Sequence, residues 1–327
     1  MTINTETLIQ VDHLSRYYGD TCAVNDVSFH VDRGEVVGLL GPNGAGKTSA
    51  MQIISGNLAP STGQVRINGI DILDSPKKAK AELGYLPEQP PLYKELSVNE
   101  YLSYCARLNR VKKTDIADAV HRARRRCGLD EAGDRLIGNL SKGFQQRVGI
   151  AQAIIHNPAV IILDEPTVGL DPIQIREIRE LIHDLGKEHG VILSTHILPE
   201  VQAVCDRFLI INKGRIAMAE TIDDLDVQLQ ARSLILATRR PIVIDELLTL
   251  DGVEGVDALD AGRYRIHFSP GKAAIDTGSP TTVADTVAIM AANNHWGLYE
   301  LIPEQLTLEQ IFIDITCKET GGNGAGS

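Results

Sequence analysis

Residues Gly41-Pro42-Asn43-Gly44-Ala45-Gly46-Lys47-Thr48 fit the spacing G-x-x-x-x-G-K-[ST]. That spacing suits one task, the holding of a polyphosphate. Glycines let the main chain approach phosphate oxygens, and free N–H groups where a helix starts point at them. Lys47 is placed to reach the β- and γ-phosphates, and the Thr48 hydroxyl to hold Mg²⁺, with Ser49 next in the same turn. Two acids, Asp164 and Glu165, end the apolar run Val160-Ile161-Ile162-Leu163. Carboxylates at the C-terminal tip of a buried parallel strand face the ligand crevice. Asp164 is thereby a Mg²⁺-shell candidate, and Glu165 a candidate to polarise an attacking water. His196 ends a similar run, Val191 to Thr195, and at such a tip is positioned to hold a γ-phosphate or the water. A lone histidine is more often a packing residue.

The elements that must carry these groups can be read in order. Val36 to Leu40 reads as a buried parallel strand before the glycine loop, and Ser49 to Ile54 continues as a helix. Residues 7–11 and 27–31 alternate like antiparallel strands, with a turn at Arg16-Tyr17-Tyr18-Gly19-Asp20 between them. Gln64 to Gly69 reads as a strand into a turn. Leu83 to Tyr93 reads as a strand ending in a proline-rich loop. Val98 to about Leu129 reads as helix, with Tyr101, Leu102, Cys105 and Leu108 on one face and a solvated face holding Arg122, Arg124, Arg125 and Arg126. Ser141 has the character of a helix cap before Lys142-Gly143 and the run to Ile155. Gly143 costs helix stability with no packing gain visible in the sequence, yet it leaves N–H groups bare for a second anion. Gly169-Leu170-Asp171-Pro172 is a turn that opens a helix from about Ile173 to Glu188. Phe208 to Ile216 is a hairpin turning at Lys213-Gly214.

Composition excludes several alternatives. The chain has 327 residues, 43% of them apolar, which suits two domains with real cores. A formal charge of −11 argues against binding nucleic acid through a broad basic face. Five scattered cysteines without CxxC spacing point to reduced thiols in a cytosolic protein, not to a disulfide frame or a zinc site. The N-terminus lacks the pattern of a secretion signal, and no apolar run approaches the roughly 20 residues of a membrane span. Work at a membrane would need spans from another chain.

Together these residues closely resemble the ATP-binding cassette (ABC) ATPases, with the motifs in the family's order across residues 6–221. Gly41 to Thr48 matches Walker A, and Val160 to Glu165 matches Walker B with its catalytic glutamate. Leu140 to Gln145, LSKGFQ, matches the signature motif usually written LSGGQ. Gly169 to Asp171 matches the D-loop, and His196 the switch histidine. Tyr18, whose plainer role is packing on a turn, matches the aromatic that stacks on adenine. One departure stands out. The family places a Mg²⁺-touching glutamine after the strand ending Gly-Tyr-Leu-Pro, where this chain has Glu88, with Gln89 one place later. Either the loop shifts by one residue or Glu88 serves as a carboxylate. The run from Leu140 to Pro158 looks like bacterial exporter ATPases of the gliding-motility-associated or multidrug type, which pair with separately encoded permeases.

The resemblance implies an α/β fold: a P-loop ATPase domain over residues 6–221 with a mixed sheet core, an antiparallel β subdomain and a helical subdomain at about 88–157. It implies a peripheral protein at the cytoplasmic face of the plasma membrane, powering an exporter. ATP and Mg²⁺ are the expected cofactors, a permease the expected partner, and a head-to-tail homodimer the expected assembly. Each ATP then lies between Walker A of one chain and Ser141-Lys142-Gly143, with Asp171, of the other. No nucleic-acid partner is expected. A soluble ABC ATPase working on ribosomes or nucleic acid is the alternative, but such members usually carry two cassettes or long coiled-coil insertions. Beyond Ile222 the pattern becomes βαββαβ, a split-βαβ arrangement that predicts a small α+β, ferredoxin-like domain over 222–318. It resembles the accessory tails of exporter ATPases. Residues 319–327 read as a disordered tail.

Overall fold

A computed structural model describes residues 6–228, 233–260, 262–268, 282–304 and 308–317. The tail at 319–327 lies outside the described residues. Backbone contacts divide the chain into two compact units, one of residues 1–222 and 315–327, the other of residues 223–314.

The first unit is built on a six-stranded sheet. Its elements in chain order are β1 (Thr7–Tyr18), β2 (Thr21–Asp32), β3 (Val36–Leu40), α1 (Lys47–Ile54), β4 (Thr62–Ile67), β5 (Ile70–Asp71), α2 (Pro76–Ala81) and β6 (Leu83–Leu86). There follow α3 (Val98–Leu108), α4 (Ile116–Arg126), α5 (Lys142–Ile154), β7 (Val160–Asp164), α6 (Pro172–Gly186), β8 (Gly190–Thr195), α7 (Leu198–Val204), β9 (Arg207–Asn212) and β10 (Arg215–Thr221). The large sheet has the order β10-β9-β3-β8-β7-β6, parallel except for the β9–β10 hairpin. β3, β7 and β8 are buried along their whole length. Apolar runs with no alternation suit this, since helices and neighbouring layers cover both faces of a parallel sheet. Each fully buried large aliphatic residue here contributes about 1.5–3 kcal/mol, so the strand tips are held on rigid supports. A second, antiparallel sheet has the order β2-β1-β4-β5 and shares a core with α1 and the large sheet through Leu14, Val27, Met51, Ile53 and Ile162.

Three expectations need correction. β1 runs on through Arg16, Tyr17 and Tyr18, so only Gly19 and Asp20 form the turn. Strand pairing wins over turn propensity because Tyr17 and Tyr18 sit opposite Cys22 and Thr21. The single helix expected from Val98 to Leu129 is two helices. The chain breaks at Asn109-Arg110, where Arg110 takes φ +62, and Leu108 is 62% exposed instead of facing the core with Tyr101, Leu102 and Cys105. α3 starts at a capping box, with Ser97 and Glu100 each bonding the other's backbone N–H. Finally, Gly143 has a close neighbour that the sequence did not show: it is buried, and a Cβ there would have to push aside the flexible end of the Gln174 side chain at the start of α6.

The second unit contains β11 (Ser233–Thr238), α9 (Ile244–Leu248), β12 (Val253–Asp260), β13 (Arg263–Phe268), α10 (Val283–Asn293) and β14 (Leu298–Glu304), with α8 (Ile222–Gln228) leading in and α11 (Leu308–Cys317) leading out. The antiparallel sheet order β12-β13-β11-β14 is the split-βαβ arrangement expected of the tail. Its core packs Leu234, Leu236, Tyr264, Ile266 and Phe268 against Leu247, Val287 and Trp296. α10 opens at a capping box of Thr282 and Asp285.

Candidate functional site

The loop between β3 and α1 folds as its glycines dictate. Gly46, the residue before α1, takes φ +108, and a Cβ on it would collide with the Ala23 carbonyl. Only glycine fits there. No side chain caps α1, so the N–H groups of its first turn face the cleft without a side-chain partner. The cleft beside them holds about 300 Å³ and is lined by Ala23, Asn43, Gly44, Gly46, Lys47, Thr48, Ser49, Glu88, Glu165, Val168 and His196.

Lys47 is nearly buried and donates to the carbonyls of Gly41 (2.7 Å) and Pro42 (3.2 Å), so its ammonium is folded back on its own loop. Burial pulls its pKa down, opposed by the charges of Glu165, Asp164 and Glu88. An anion entering the cleft meets a cation whose partners are neutral carbonyls that it can exchange. Asp164 ends β7, 3% exposed, and accepts from Ser194 Oγ on the adjacent β8 at 2.5 Å. Its pKa is raised by burial and by the Glu88 charge, against the Ser194 hydrogen bond and Lys47. Tyr85, on β6, has its pKa pushed up to about 12 by burial and by Asp164.

Glu165 follows with φ +49, a left-handed backbone that costs a non-glycine residue energy and recurs at functional sites. The kink takes the carboxylate off the strand line. Both its oxygens lie against His196 Nδ1, at 3.0 and 2.9 Å. A ring with its proton on Nδ1 donates to Glu165 and leaves Nε2 as an acceptor. One cleft thus gathers a buried ammonium, a kinked glutamate with its histidine, and a second carboxylate, Glu88. Gln89 is not among the lining residues.

The remaining sequence-selected residues lie elsewhere. Tyr18 is half exposed, with the Arg16 guanidinium 4.7 Å from its ring centre, and does not line the cleft. Ser141 caps α5 by accepting from Phe144 N–H, and Asp171 caps α6 by accepting from Ile173 and Gln174 N–H. Gly143 and Asp171 line a second cleft of about 500 Å³ with Phe144, Arg147, Pro172, Ile173, Gln174 and Glu177, and it shares no residue with the first. Lys142 lies over Gly169, where a Cβ would strike its Nζ. The start of α5 and the turn before α6 are therefore neighbours, a pairing that sequence spacing did not suggest. Sequence reading also passed over Thr167, Thr195 and Glu200, which form a buried cluster behind Glu165 and His196. The available signal was an acid four residues after His196, at the start of a short helix.

Comparison with known proteins follows the same outline. The family described as ABC transporter matches residues 24–168. An uncharacterized ABC transporter ATP-binding protein of Bacillus subtilis is 35% identical over 72% of this chain and 78% of its own length. The bacitracin transport ATP-binding protein of Bacillus licheniformis is 36% identical over 67% of this chain and 71% of its own. A probable multidrug ABC transporter ATP-binding protein of Escherichia coli is 34% identical over 68% of this chain, though over only 39% of its own length. Among solved structures, the ATP-binding subunit of an ABC transporter superposes with TM-score 0.62 at 36% identity, over 68% of this chain and 93% of that one. An ATP-binding cassette from MJ0796, solved as a post-hydrolysis dimer bound to ADP and Pi, has TM-score 0.60 at 23% identity over 66% of this chain and 99% of its own, a likeness of fold.

Proposed function

This chain belongs to the ATP-binding proteins of ABC transporters and is an ATPase, and from that premise we propose that it powers an exporter whose membrane-spanning permease is a separate chain. Among the described residues no helix is long and apolar enough to cross a membrane. The multidrug and bacitracin-transport relatives support the exporter direction.

The observation that carries the catalytic reading is the Glu165–His196 contact across the cleft from Lys47. The α1 N-terminus cradles the phosphates, and Lys47 exchanges its loop carbonyls for β- and γ-phosphate oxygens. Glu165 orients the attacking water, and His196 keeps the Glu165 carboxylate in place through its Nδ1–H; a second proton, on Nε2, lets the same ring donate to the γ-phosphate. Thr48, Asp164 and Glu88 offer only hard oxygen donors, which suits Mg²⁺ and not a soft metal. Bound there, Mg²⁺ would offset the negative charge of the phosphates. Tyr18 stacks on the adenine once Arg16 gives up its face.

The second cleft supports head-to-tail pairing. Ser141, Lys142, Gly143 and Asp171 lie apart from the phosphate loop of their own chain, so a γ-phosphate meets them only on a partner copy. ATP bridges the two chains, and hydrolysis loosens them. Glu165→Gln is expected to keep ATP binding, accumulate the dimer and lower turnover by at least about 10²-fold, read in steady-state phosphate release. Near-normal turnover would remove Glu165 from the mechanism. For the transport reading, the tagged chain is purified from detergent-solubilised membranes of its host. A polytopic protein in stoichiometric amount is expected. Recovery only with ribosomes or nucleic acid would replace the exporter reading and leave the ATPase site standing.

A further inference from the structure

Glu200 lies on α7, four residues beyond His196, and is 1% exposed. Among the described residues no cation pairs with it. A buried carboxylate needs donors, since burying it unpaired is costly. Glu200 has two, both hydroxyls. Thr195 Oγ1 donates to Oε2 at 2.7 Å, and Thr167 Oγ1 donates to Oε1. Thr195 is the residue before His196, and Thr167 stands two residues after Glu165. Thr195 Oγ1 also accepts from the Ile197 N–H at 3.0 Å, so His196 is bracketed on both sides by one hydroxyl. Both threonines are buried. An apolar side chain would fill the same space without the desolvation cost of a carboxylate, so packing alone does not account for Glu200.

We propose that Glu200 is a positioning residue for hydrolysis: by bridging Thr167 and Thr195 it locks the loop after Glu165 to the strand end before His196, so that carboxylate and ring meet at the cleft. Two points then pin these loops together, the Glu165–His196 contact facing the cleft and the Glu200 bridge beneath it. The inference rests on Glu165 and His196 acting as the hydrolytic pair.

The test measures ATP affinity, steady-state kcat and KM, and single-turnover rates on the full chain. Glu200→Leu, Thr167→Val and Thr195→Val are each expected to lower kcat at least about 10-fold while the KM for ATP stays within about threefold, as loss of transition-state positioning requires. Glu200→Gln, Thr167→Ser and Thr195→Ser, which keep an acceptor or a hydroxyl, are expected to recover most of that loss. In a Glu165→Gln background, adding Glu200→Leu is expected to cost less than about threefold more, because groups acting as a unit are not additive. If Glu200→Leu does not fold, the two valine variants carry the test. Wild-type kcat in the valine variants, or a fully additive loss in the Glu165→Gln background, would overturn the proposal. If Glu165→Gln itself turns over normally, the hydrolytic pair is wrong. If Glu165→Gln is impaired and the Glu200 and valine variants are not, only the bridge is wrong.

Discussion

Two clefts of the first unit are both built at helix N-termini, and they are finished in opposite ways. α1 starts without a side-chain cap, behind a glycine that nothing else can replace. α5 and α6 start with their own caps, Ser141 and Asp171, already bonded to their first-turn N–H groups. Such a cap is worth about 1 kcal/mol, so its absence at α1 leaves a stabilising bond unmade in the unliganded chain. Charge divides the clefts the same way. Around α1, Lys47, Glu88 and Glu165 converge without a salt bridge between the lysine and either acid, while in the second cleft Arg147 is paired with Glu177. The second cleft also presents Ile173, 74% exposed. A helix start left uncapped beside a lysine held only by backbone carbonyls suits an anionic ligand. A capped start with an apolar lip suits a surface that another chain covers.

The sharpest way to break this contrast is Lys47→Ala, which is expected to bring ATP binding below detection by calorimetry. Affinity near that of the unaltered chain would mean the first cleft is not the nucleotide site. Next in size is a mixing experiment. Lys47→Ala and Ser141→Arg chains should each be inactive alone, yet mixing them should restore ATPase activity, because one site then joins an intact loop to an intact signature. No recovery on mixing would show that both clefts serve the same ATP within one chain.

A smaller effect is the pH dependence of binding. Burial lowers the Lys47 pKa, and bound phosphates raise it again, so binding takes up a proton at alkaline pH. ATP affinity should be full below the free-state pKa of Lys47 and fall as pH climbs through it. A flat alkaline profile in calorimetry would mean Lys47 does not meet the phosphates. The smallest expected change is in stability. Asp171→Ala should cost about 1 kcal/mol in urea unfolding by removing the α6 cap, and an unchanged midpoint would deny the cap its role.

Much of the phosphate site was legible because its signals are local. A glycine-lysine loop between an apolar strand and a helix encodes its own geometry, and apolar runs ending in acid or histidine mark strand tips. Glu88 was legible as a departure and ambiguous as a contact, since Glu88 and Gln89 are both exposed and only the folded loop turns Glu88 toward Lys47. The break after α3 was hidden because Asn109 and Arg110 carry no glycine or proline signal, and a left-handed arginine is not written in composition. The extension of β1 through Tyr18 depended on its partners Cys22 and Thr21 across the hairpin. Gly143 looked like a cost because Gln174 is 31 residues away in sequence and meets it only in the fold.

By itself the sequence determined the phosphate loop, the acids and histidine at strand tips, and the split-βαβ order of the second unit, because each rests on spacing within a few residues. Tertiary structure alone decided which groups meet. It closed Glu165 on His196 and set Glu200 beneath them. It also kept Ser141 and Asp171 out of the cleft that holds Lys47. The Glu165–His196 and Thr167–Glu200 pairings join residues 31 and 33 positions apart through strand order in the sheet, and no local pattern encodes that order.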